Sequence, residues 1–250
     1  MAIYNDLKDK RVLVTGAASG IGLATAQRFV RESSQVVILD VDQKALDKAL
    51  KDNPSIKGGI CADVSDADAV EQAFQQLDDT IGGIDILIAN AGISIRQNFV
   101  DISPEQWDKV MAVNLRGIFL CASQAAKRMM AQGSGVILMT SSTNGTEGHR
   151  WYADYNASKA GVILLAKTIA LELAPTVRVN AVCPGYVLTS MQRAEYTDEM
   201  FKAANEKTPM KRHAEPDEVG ALYAFLASSE AAYITGADIR IDGGETAGLA

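Results

Sequence analysis

The feature that most constrains the fold is a regular alternation of short apolar runs with segments of helical length. Seven runs rich in β-branched or aliphatic residues predict strands, at Arg11–Thr15, Gln35–Asp40, Ile56–Ala62, Ile84–Asn90, Gly135–Ser141, Val177–Cys183 and Ala237–Asp242. Their nearly continuous apolar content is typical of strands that are buried on both faces, as in a parallel sheet. Helical segments between such strands form right-handed crossovers, so the sequence predicts an α/β fold with a doubly wound parallel sheet and helices on both faces.

The helical segments and the connections between them indicate one domain. Helices are predicted over Gly20–Glu32, Asp66–Thr80, Pro104–Gln132 and Ala153–Leu173. The third has Ser103 at its N-cap, followed by proline at the first helical position. No linker rich in proline, glycine or serine divides the chain, so residues 1–250 are expected to form a single domain. Residues 188–212 contain polar breaks and no strand pattern, and we expect them to form a mobile helical flap.

The charge balance and the apolar pattern exclude several classes of function. Lys and Arg number 24 against 31 Asp and Glu, a formal net charge of −7, so we expect no nucleic-acid partner. The most apolar long stretch, residues 160–174, still carries Lys167 and Glu172, so we expect no membrane span. The N-terminal residues lack an apolar signal region, and the three cysteines are scattered, which together predict a cytoplasmic protein. The two histidines have no ligand spacing, and no metal site is predicted.

A glycine-rich turn follows the first predicted strand and precedes the first predicted helix. It consists of Thr15-Gly16-Ala17-Ala18-Ser19-Gly20-Ile21-Gly22. Its three glycines let the backbone turn tightly and approach a pyrophosphate, which the helix N-terminus then stabilises. The GxxxGxG spacing differs from the commoner GxGxxG, and an ordinary glycine-rich turn is the alternative interpretation. The position between a strand and a helix favours dinucleotide binding.

An acidic residue at the end of the second predicted strand indicates which dinucleotide would bind. Asp40 follows Gly22 by 18 residues, and a carboxylate there can accept hydrogen bonds from both ribose hydroxyls and repels a 2′-phosphate. No Arg or Lys lies between Gly16 and Gly22 to bind that phosphate. NAD is therefore predicted over NADP. The alternative is that Asp40 only caps the next helix, since Asp42 is nearby.

The candidate chemical centre is Tyr155-Asn156-Ala157-Ser158-Lys159. Residues four apart share one face of a helix, so Tyr155 and Lys159 are expected to lie side by side. A free tyrosine has a pKa of about 10 and is a weak base at neutral pH. A neighbouring ammonium favours the phenolate, so Lys159 is expected to lower the pKa of Tyr155. The motif alone is weak, because an exposed Tyr–Lys pair is common on helices.

Further motifs in a fixed order make the pattern specific. They are Asp63-Val64, Asn90-Ala91-Gly92, Asn114, Ser142, Pro184-Gly185 and Ile241-Asp242-Gly243-Gly244, together with the glycine turn and the Tyr–Lys pair. With these motifs the chain resembles, nearly end to end, the compact members of the short-chain dehydrogenase/reductase family. The resemblance implies a single-domain Rossmann-like fold, a nicotinamide cofactor and a homotetramer with the long helices 104–132 and 153–173 at its interfaces. Ser142 is preferred to Ser141 because the family serine lies about 13 residues before the tyrosine.

The resemblance also implies a role for each motif residue. Tyr155 would exchange a proton with the substrate oxygen, Ser142 would hydrogen-bond that oxygen, and Lys159 would hold the nicotinamide ribose. Asn114 would hold a water that relays protons from Lys159; the alternative is a structural amide that bends its helix. The cofactor would also contact Gly16, Ser19, Gly20, Ile21, Gly22, Asp40, Asp63, Val64, Asn90, Ala91, Gly92, Pro184, Gly185, Val187 and Thr189.

The implied reaction interconverts a secondary hydroxyl with a ketone, or a hemiacetal with a lactone. Three segments are expected to border the substrate, and they contribute Ser94, Arg96, Asn144, His149, Arg150, Trp151, Tyr186 and Arg193. Arginine offers a planar fork for a carboxylate, and an aromatic ring can stack on a sugar. We therefore expect a sugar, a polyol or a sugar acid, with an anionic group favoured. The alternative is that these cations are solvated or contact another subunit.

Other functions stay open from the sequence alone. The substrate could instead be a 3-oxoacyl thioester or a cyclic or steroid ketone, because the fold does not select among them. A sensor that binds the dinucleotide without catalysis is disfavoured, since it has no physical need for all four of the residues at 114, 142, 155 and 159. A hydrolase is disfavoured because the chain has no GxSxG elbow.

Overall fold

A computed structural model describes residues 3–248 and places seven parallel strands in one sheet. The strands are β1 (Arg11–Thr15), β2 (Gln35–Asp40), β3 (Gly58–Cys61), β4 (Ile86–Ala89), β5 (Gly135–Thr140), β6 (Val177–Pro184) and β7 (Asp238–Ile241). Their order across the sheet is β3-β2-β1-β4-β5-β6-β7, and all neighbours pair in parallel. The predicted α/β doubly wound sheet is therefore confirmed. Residues 1, 2, 249 and 250 of the predicted domain lie outside the described residues.

Helices occupy most of the connections between the strands. They are α1 (Gly20–Arg31), α2 (Gln43–Asp52), α3 (Ala67–Ile81), α4 (Pro104–Met111), α5 (Gly117–Gln132), α6 (Ala153–Leu173), α7 (Ser190–Glu195), α8 (Asp198–Lys207) and α9 (Pro216–Ala227). A π-helical turn at Ala112–Arg116 joins α4 to α5, so the predicted helix over 104–132 is a single run with a bulge inside it. No helix within residues 3–248 has the length and apolar character that crossing a bilayer requires.

Most predicted boundaries lie within two residues of the observed ones, and α6 has the predicted bounds. The prediction for β3 was too long at its start, because the Ile56 N–H donates to the Asn53 carbonyl in the turn after α2 instead of to β2. The predicted flap over 188–212 is helical, with α7 and α8 inside it. Its predicted mobility stays a prediction.

Two apolar layers cover the two faces of the sheet. On one face Phe74, Ile118 and Val162 pack from α3, α5 and α6. On the other face Phe29 and Tyr223 pack from α1 and α9, and all five side chains are buried. Burial of this apolar area stabilises the fold by about 25 cal/mol for each Å² removed from water.

The topology determines where a ligand can bind. The connections after β1 and β4 leave the sheet in opposite directions, which opens a crevice at the carboxyl ends of the strands. The glycine turn follows β1, Asn90 follows β4, Ser142 follows β5 and Gly185 follows β6. The motifs that are far apart in the sequence therefore meet at one edge of the sheet.

Candidate active site

A cavity of about 840 Å³ lies at this edge of the sheet. Most of the residues expected to bind the cofactor line it: Gly16, Ser19, Gly20, Ile21, Asp40, Asp63, Val64, Asn90, Ala91, Gly92, Pro184, Gly185, Val187 and Thr189. Ser142, Tyr155 and Lys159 line the same cavity. Gly22 and Asn114 do not line it. Gly22 packs against Gly16, and Asn114 hydrogen-bonds Ile93, and these two partners do line the cavity. The structure therefore brings the residues expected to bind the cofactor and those expected to exchange the proton into one cavity.

The glycine turn has a conformation and a close packing that disfavour larger residues. Gly16 has a φ of +61°, and a Cβ there would lie 2.7 Å from Ala91 Cα. A Cβ on Gly22 would collide with the Gly16 carbonyl oxygen. The turn is therefore packed directly against the start of α1 and the end of β4, which leaves its outer side open to the cavity.

The N-terminus of α1 is open toward the cavity. Ser19 is its N-cap but makes no side-chain capping hydrogen bond, whereas Asp42, Asp66 and Ser103 cap α2, α3 and α4. The first N–H groups of a helix have no partners within the helix, and they attract an anion. This arrangement fits the pyrophosphate of a dinucleotide.

Asp40 is held at the end of β2 by backbone donors. Its carboxylate accepts hydrogen bonds from the Ala18 N–H at 2.9 Å and the Asp42 N–H at 3.2 Å. The side chain is half-buried and lines the cavity. Asp42, not Asp40, caps α2, so the alternative that Asp40 serves only as a helix cap does not hold.

Tyr155 and Lys159 lie one turn apart on α6. The Lys159 nitrogen is 5.5 Å from the centre of the Tyr155 ring and donates to the Thr140 carbonyl at 2.9 Å. Burial lowers the pKa of Lys159 to about 8. Burial raises the pKa of Tyr155 to about 12, and the Ser142 hydroxyl opposes this rise. The pKa of Tyr155 thus moves in the direction opposite to the prediction, because burial disfavours the phenolate.

The two neighbouring serines have different surroundings. Ser141 donates its hydroxyl to the Lys159 carbonyl at 2.8 Å, which ties the end of β5 to α6. The Ser142 hydroxyl accepts from the Asn144 N–H at 3.2 Å, and its contacts as a donor, to Asn144 Oδ1 and the Pro184 carbonyl, are 3.4 and 3.5 Å long. Such long contacts are weak, so Ser142 is the serine with a hydrogen available for a substrate oxygen.

Asn114 lies in the π-helical turn and is fully buried. Its amide oxygen accepts from the Ile93 N–H at 2.8 Å, and its amide nitrogen donates to the Ile93 carbonyl and the Ser158 hydroxyl at 2.9 and 3.2 Å. A Cβ on Gly92 would lie 3.3 Å from that amide oxygen and 3.4 Å from Lys159 Nζ. Asn114 therefore fixes the segment after β4 beside Lys159. Its expected water-holding role stays a prediction.

The substrate end of the cavity differs from the expectation. Ser94, Asn144, His149 and Tyr186 line it as expected, but Arg96, Arg150, Trp151 and Arg193 do not. The guanidinium of Arg96 stacks on the Trp151 ring at 4.0 Å, and the other two arginines are exposed. Burial lowers the pKa of His149, which favours its neutral form. The arginines on which the expectation of an anionic group rested therefore lie outside the cavity.

Several lining residues were missed by the sequence analysis. Tyr152 precedes α6, and Glu195 and Tyr196 lie at the end of α7. The Tyr152 hydroxyl donates to Glu195 Oε2 at 3.0 Å. The flap as a whole was expected next to the substrate. Whether Glu195 or Arg193 faces the cavity depends on how α7 is rotated about its axis, and the sequence of a six-residue helix does not define that rotation.

Comparison with known proteins assigns the family. A family model described as "Enoyl-(Acyl carrier protein) reductase" matches residues 16–246. A 3-oxoacyl-[acyl-carrier-protein] reductase of Thermotoga maritima is 38% identical over 95% of this chain and 98% of its own length. An NAD-dependent glycerol dehydrogenase of Listeria innocua is 34% identical over 96% of this chain and 95% of its own length.

Solved structures agree with this assignment. A short-chain type dehydrogenase/reductase from Mycobacterium marinum is 36% identical, with a TM-score of 0.92 over 98% of both chains. A putative gluconate dehydrogenase from Agrobacterium tumefaciens is 30% identical, with a TM-score of 0.94 over 99% of this chain and 100% of that one. The chain belongs to the short-chain dehydrogenase/reductase family and is an oxidoreductase of CH–OH and keto groups. The named relatives act on different compounds, so family membership alone does not select the substrate.

Proposed function

We propose that this protein is an NAD-dependent dehydrogenase that interconverts a secondary hydroxyl and a ketone on a small neutral polyol or sugar. The observation that carries the proposal is that Ser142, Tyr155 and Lys159 line the same cavity as the glycine turn and Asp40. A protein that only bound the dinucleotide would have no physical need to place a serine, a tyrosine and a buried lysine together there. When bound, NAD would supply the hydride acceptor.

The side chains of this protein would then perform the proton chemistry. Tyr155 takes the proton of the substrate hydroxyl in oxidation and returns it in reduction. Ser142 donates a hydrogen bond to the reacting oxygen, which holds that oxygen beside the phenol and stabilises negative charge on it. Lys159, buried and cationic below its pKa of about 8, favours the phenolate and offers donors to the ribose.

Two observations support NAD over NADP. The Asp40 carboxylate lines the cavity and is fixed by two backbone N–H groups, so it cannot easily turn away from a 2′-phosphate. The next residue on the wall is Val41, which offers no positive charge to such a phosphate. The similarity to a glycerol dehydrogenase named as NAD-dependent agrees with this choice.

The polar groups of the cavity support a neutral hydroxylated substrate. Asn144, His149 and Tyr152 provide neutral donors and acceptors in the cavity. Within residues 3–248 no arginine lines it, and its one cation besides Lys159 is the exposed Lys109. A second candidate is the reduction of a 3-oxoacyl thioester, which the match to the Thermotoga maritima reductase favours. Both candidates use the same catalytic groups and differ in the substrate that the flap admits.

The test is an assay of nicotinamide absorbance with a panel of substrates. Polyols and sugars are offered with NAD and with NADP, and a 3-oxoacyl thioester is offered with the two reduced cofactors. The proposal predicts the highest kcat/KM for a neutral polyol or sugar with NAD. A higher kcat/KM for the thioester would establish the second candidate, and no turnover with any compound would overturn the dehydrogenase assignment.

We also propose that the protein is a homotetramer. Phe119 on α5 and Leu164 and Leu171 on α6 are exposed by 48%, 61% and 84% in the single chain, and apolar side chains at this exposure are suited to an interface. Light scattering coupled to gel filtration tests the mass, and a monomer would contradict the proposal.

A further inference from the structure

The half-buried side chain of Glu195 has one carboxylate oxygen without a hydrogen-bond partner among residues 3–248. Glu195 ends α7 and lines the cavity. Its Oε2 accepts from the Tyr152 hydroxyl at 3.0 Å, whereas its Oε1 is buried and has no partner among residues 3–248. Within the same residues Glu195 forms no salt bridge. An unpaired buried carboxylate oxygen is costly, and a donor from a ligand would remove that cost.

Glu195 is close to the group that exchanges the proton. The rings of Tyr152 and Tyr155 meet edge to face with centres 6.2 Å apart, so Tyr152 bridges the carboxylate and the phenol. The negative charge of Glu195 also contributes to the raised pKa of Tyr155. Tyr155, Tyr152 and Glu195 therefore follow one another along the wall of the same cavity.

We propose that Glu195 accepts a hydrogen bond from a second donor group of the substrate, a hydroxyl or an ammonium, and excludes substrates with a carboxylate at that place. The proposal rests on the proposed function and assigns its substrate specificity. Tyr152 is a positioning residue, because its hydroxyl donates to Oε2 and holds the carboxylate at the wall of the cavity. A carboxylate at the same place would face the like charge of Glu195 in a partly dehydrated cavity, which is strongly unfavourable.

The experiment compares kcat/KM for four matched compounds with NAD. They are the best neutral substrate of the panel, its analogue without the neighbouring hydroxyl, its analogue with an amine there, and the hydroxy acid of the same length. In the wild type we expect the compounds with a donor to exceed the deoxy analogue by at least about tenfold, with the hydroxy acid the poorest. A preference for the amine over the hydroxyl would identify an ammonium ligand, and the reverse order a hydroxyl.

Three variants separate charge from shape. Glu195→Ala should lower the ratio of hydroxyl compound to deoxy analogue at least about tenfold, with the kcat/KM of the deoxy analogue changed by less than about threefold. Glu195→Gln should raise the kcat/KM of the hydroxy acid relative to the deoxy analogue at least about tenfold, because the repelling charge is gone. Glu147→Gln is the matched control, since Glu147 is exposed and does not line the cavity, and it should change neither ratio.

The outcomes distinguish this proposal from the proposed function. A wild type that is active but whose two ratios are unchanged in both Glu195 variants would overturn the role of Glu195 and leave the dehydrogenase intact. Equal changes in Glu147→Gln would also overturn it, because the effect would then come from overall charge. A wild type without activity on any alcohol would overturn the proposed function and this proposal with it. Thermal unfolding checks the fold, and Glu195→Gln should unfold no earlier than the wild type.

Discussion

Replacing Asp40 by asparagine should change the choice of cofactor without changing the fold. The asparagine keeps the size of the side chain and an oxygen that can accept from the Ala18 N–H, which Asp40 binds at 2.9 Å. What is lost is one negative charge on the wall of the cavity. The substitution therefore isolates the electrostatic part of the discrimination against a 2′-phosphate.

The size of the effect follows from Coulomb's law. Two unit charges about 4 Å apart repel by about 1 kcal/mol in water and by about 4 kcal/mol at an effective dielectric constant of about 20. Asp40 is half-buried, so the expected penalty lies between these limits. Since about 1.4 kcal/mol corresponds to a factor of ten, the kcat/KM with NADP should rise between about fivefold and a thousandfold. The kcat/KM with NAD should fall modestly, because asparagine still forms one hydrogen bond to the ribose.

The assay measures initial rates with each cofactor at saturating substrate. Asp42→Asn is the matched control: it removes the same charge two residues away, from a carboxylate that caps α2 and does not line the cavity, and asparagine caps helices equally well. The control should keep the ratio of NAD to NADP efficiency of the wild type. Equal efficiency with both cofactors in the wild type, or an unchanged ratio in Asp40→Asn, would refute the reasoning.

Three further predictions concern pH, stability and the glycine turn. Since burial raises the pKa of Tyr155 to about 12 and alcohol oxidation needs the phenolate, kcat/KM for oxidation should rise between about pH 6 and pH 8, where Lys159, with a pKa of about 8, keeps its charge. A profile that falls over this range would contradict the role of Tyr155. Burial and the charge of Asp242 raise the pKa of Glu245 to about 7, so the folded state loses stability as the pH rises through that value. Glu245→Gln should accordingly raise Tm at about pH 8.5 and leave it unchanged at about pH 4.5, and an equal shift at both pH values would show another cause. Gly22→Ala makes a Cβ collide with the Gly16 carbonyl oxygen, so it should lower the free energy of unfolding by about 1–3 kcal/mol and weaken NAD binding in a titration. Wild-type affinity and Tm would contradict the packing argument.

The elements that the sequence predicts well are those whose pattern is local. The strands β1 and β2 have the predicted bounds because each is a continuous apolar run with polar residues or glycine at its ends, and the helix α6 also has the predicted bounds. The π-helical turn was not predicted from the apolar pattern, although a helix-bending amide was the alternative role for Asn114. In this turn Asn114 hydrogen-bonds Ile93, which lies 21 residues away in the chain. A pattern of apolar residues carries no signal for such a bulge.

The part of the candidate site that consists of sequence motifs was predictable from the sequence. The glycine turn, Asp40, Ser142 and the Tyr–Lys pair all lie where the chain leaves a strand or enters a helix, and the parallel topology brings those points together. The pKa values were less predictable, because the burial that raises the pKa of Tyr155 depends on residues from several elements.

The sequence predicted Arg96, Arg150 and Arg193 beside the substrate, but none of them lines the cavity. Arg96 stacks on the ring of Trp151, which lies 55 positions later in the sequence. A cation stacked on an aromatic ring is already stabilised there. Glu195 lies two residues after Arg193 on the same short helix, yet only the glutamate faces the cavity. The direction of a side chain on a short helix is determined by tertiary packing, so the sequence did not show that Glu195 lines the cavity and Arg193 does not.

The most direct test of the account compares the wild type with Tyr155→Phe in two measurements on the same preparations. The first is the rate of NAD reduction with the best polyol or sugar, and the second is the affinity for NAD from a binding titration. Because the substitution removes only the hydroxyl and leaves Lys159 and the glycine turn in place, we predict loss of at least about a hundredfold in kcat with an affinity within about threefold of the wild type. A Tyr155→Phe variant that keeps wild-type turnover would contradict the assignment of Tyr155 as the proton-exchanging group.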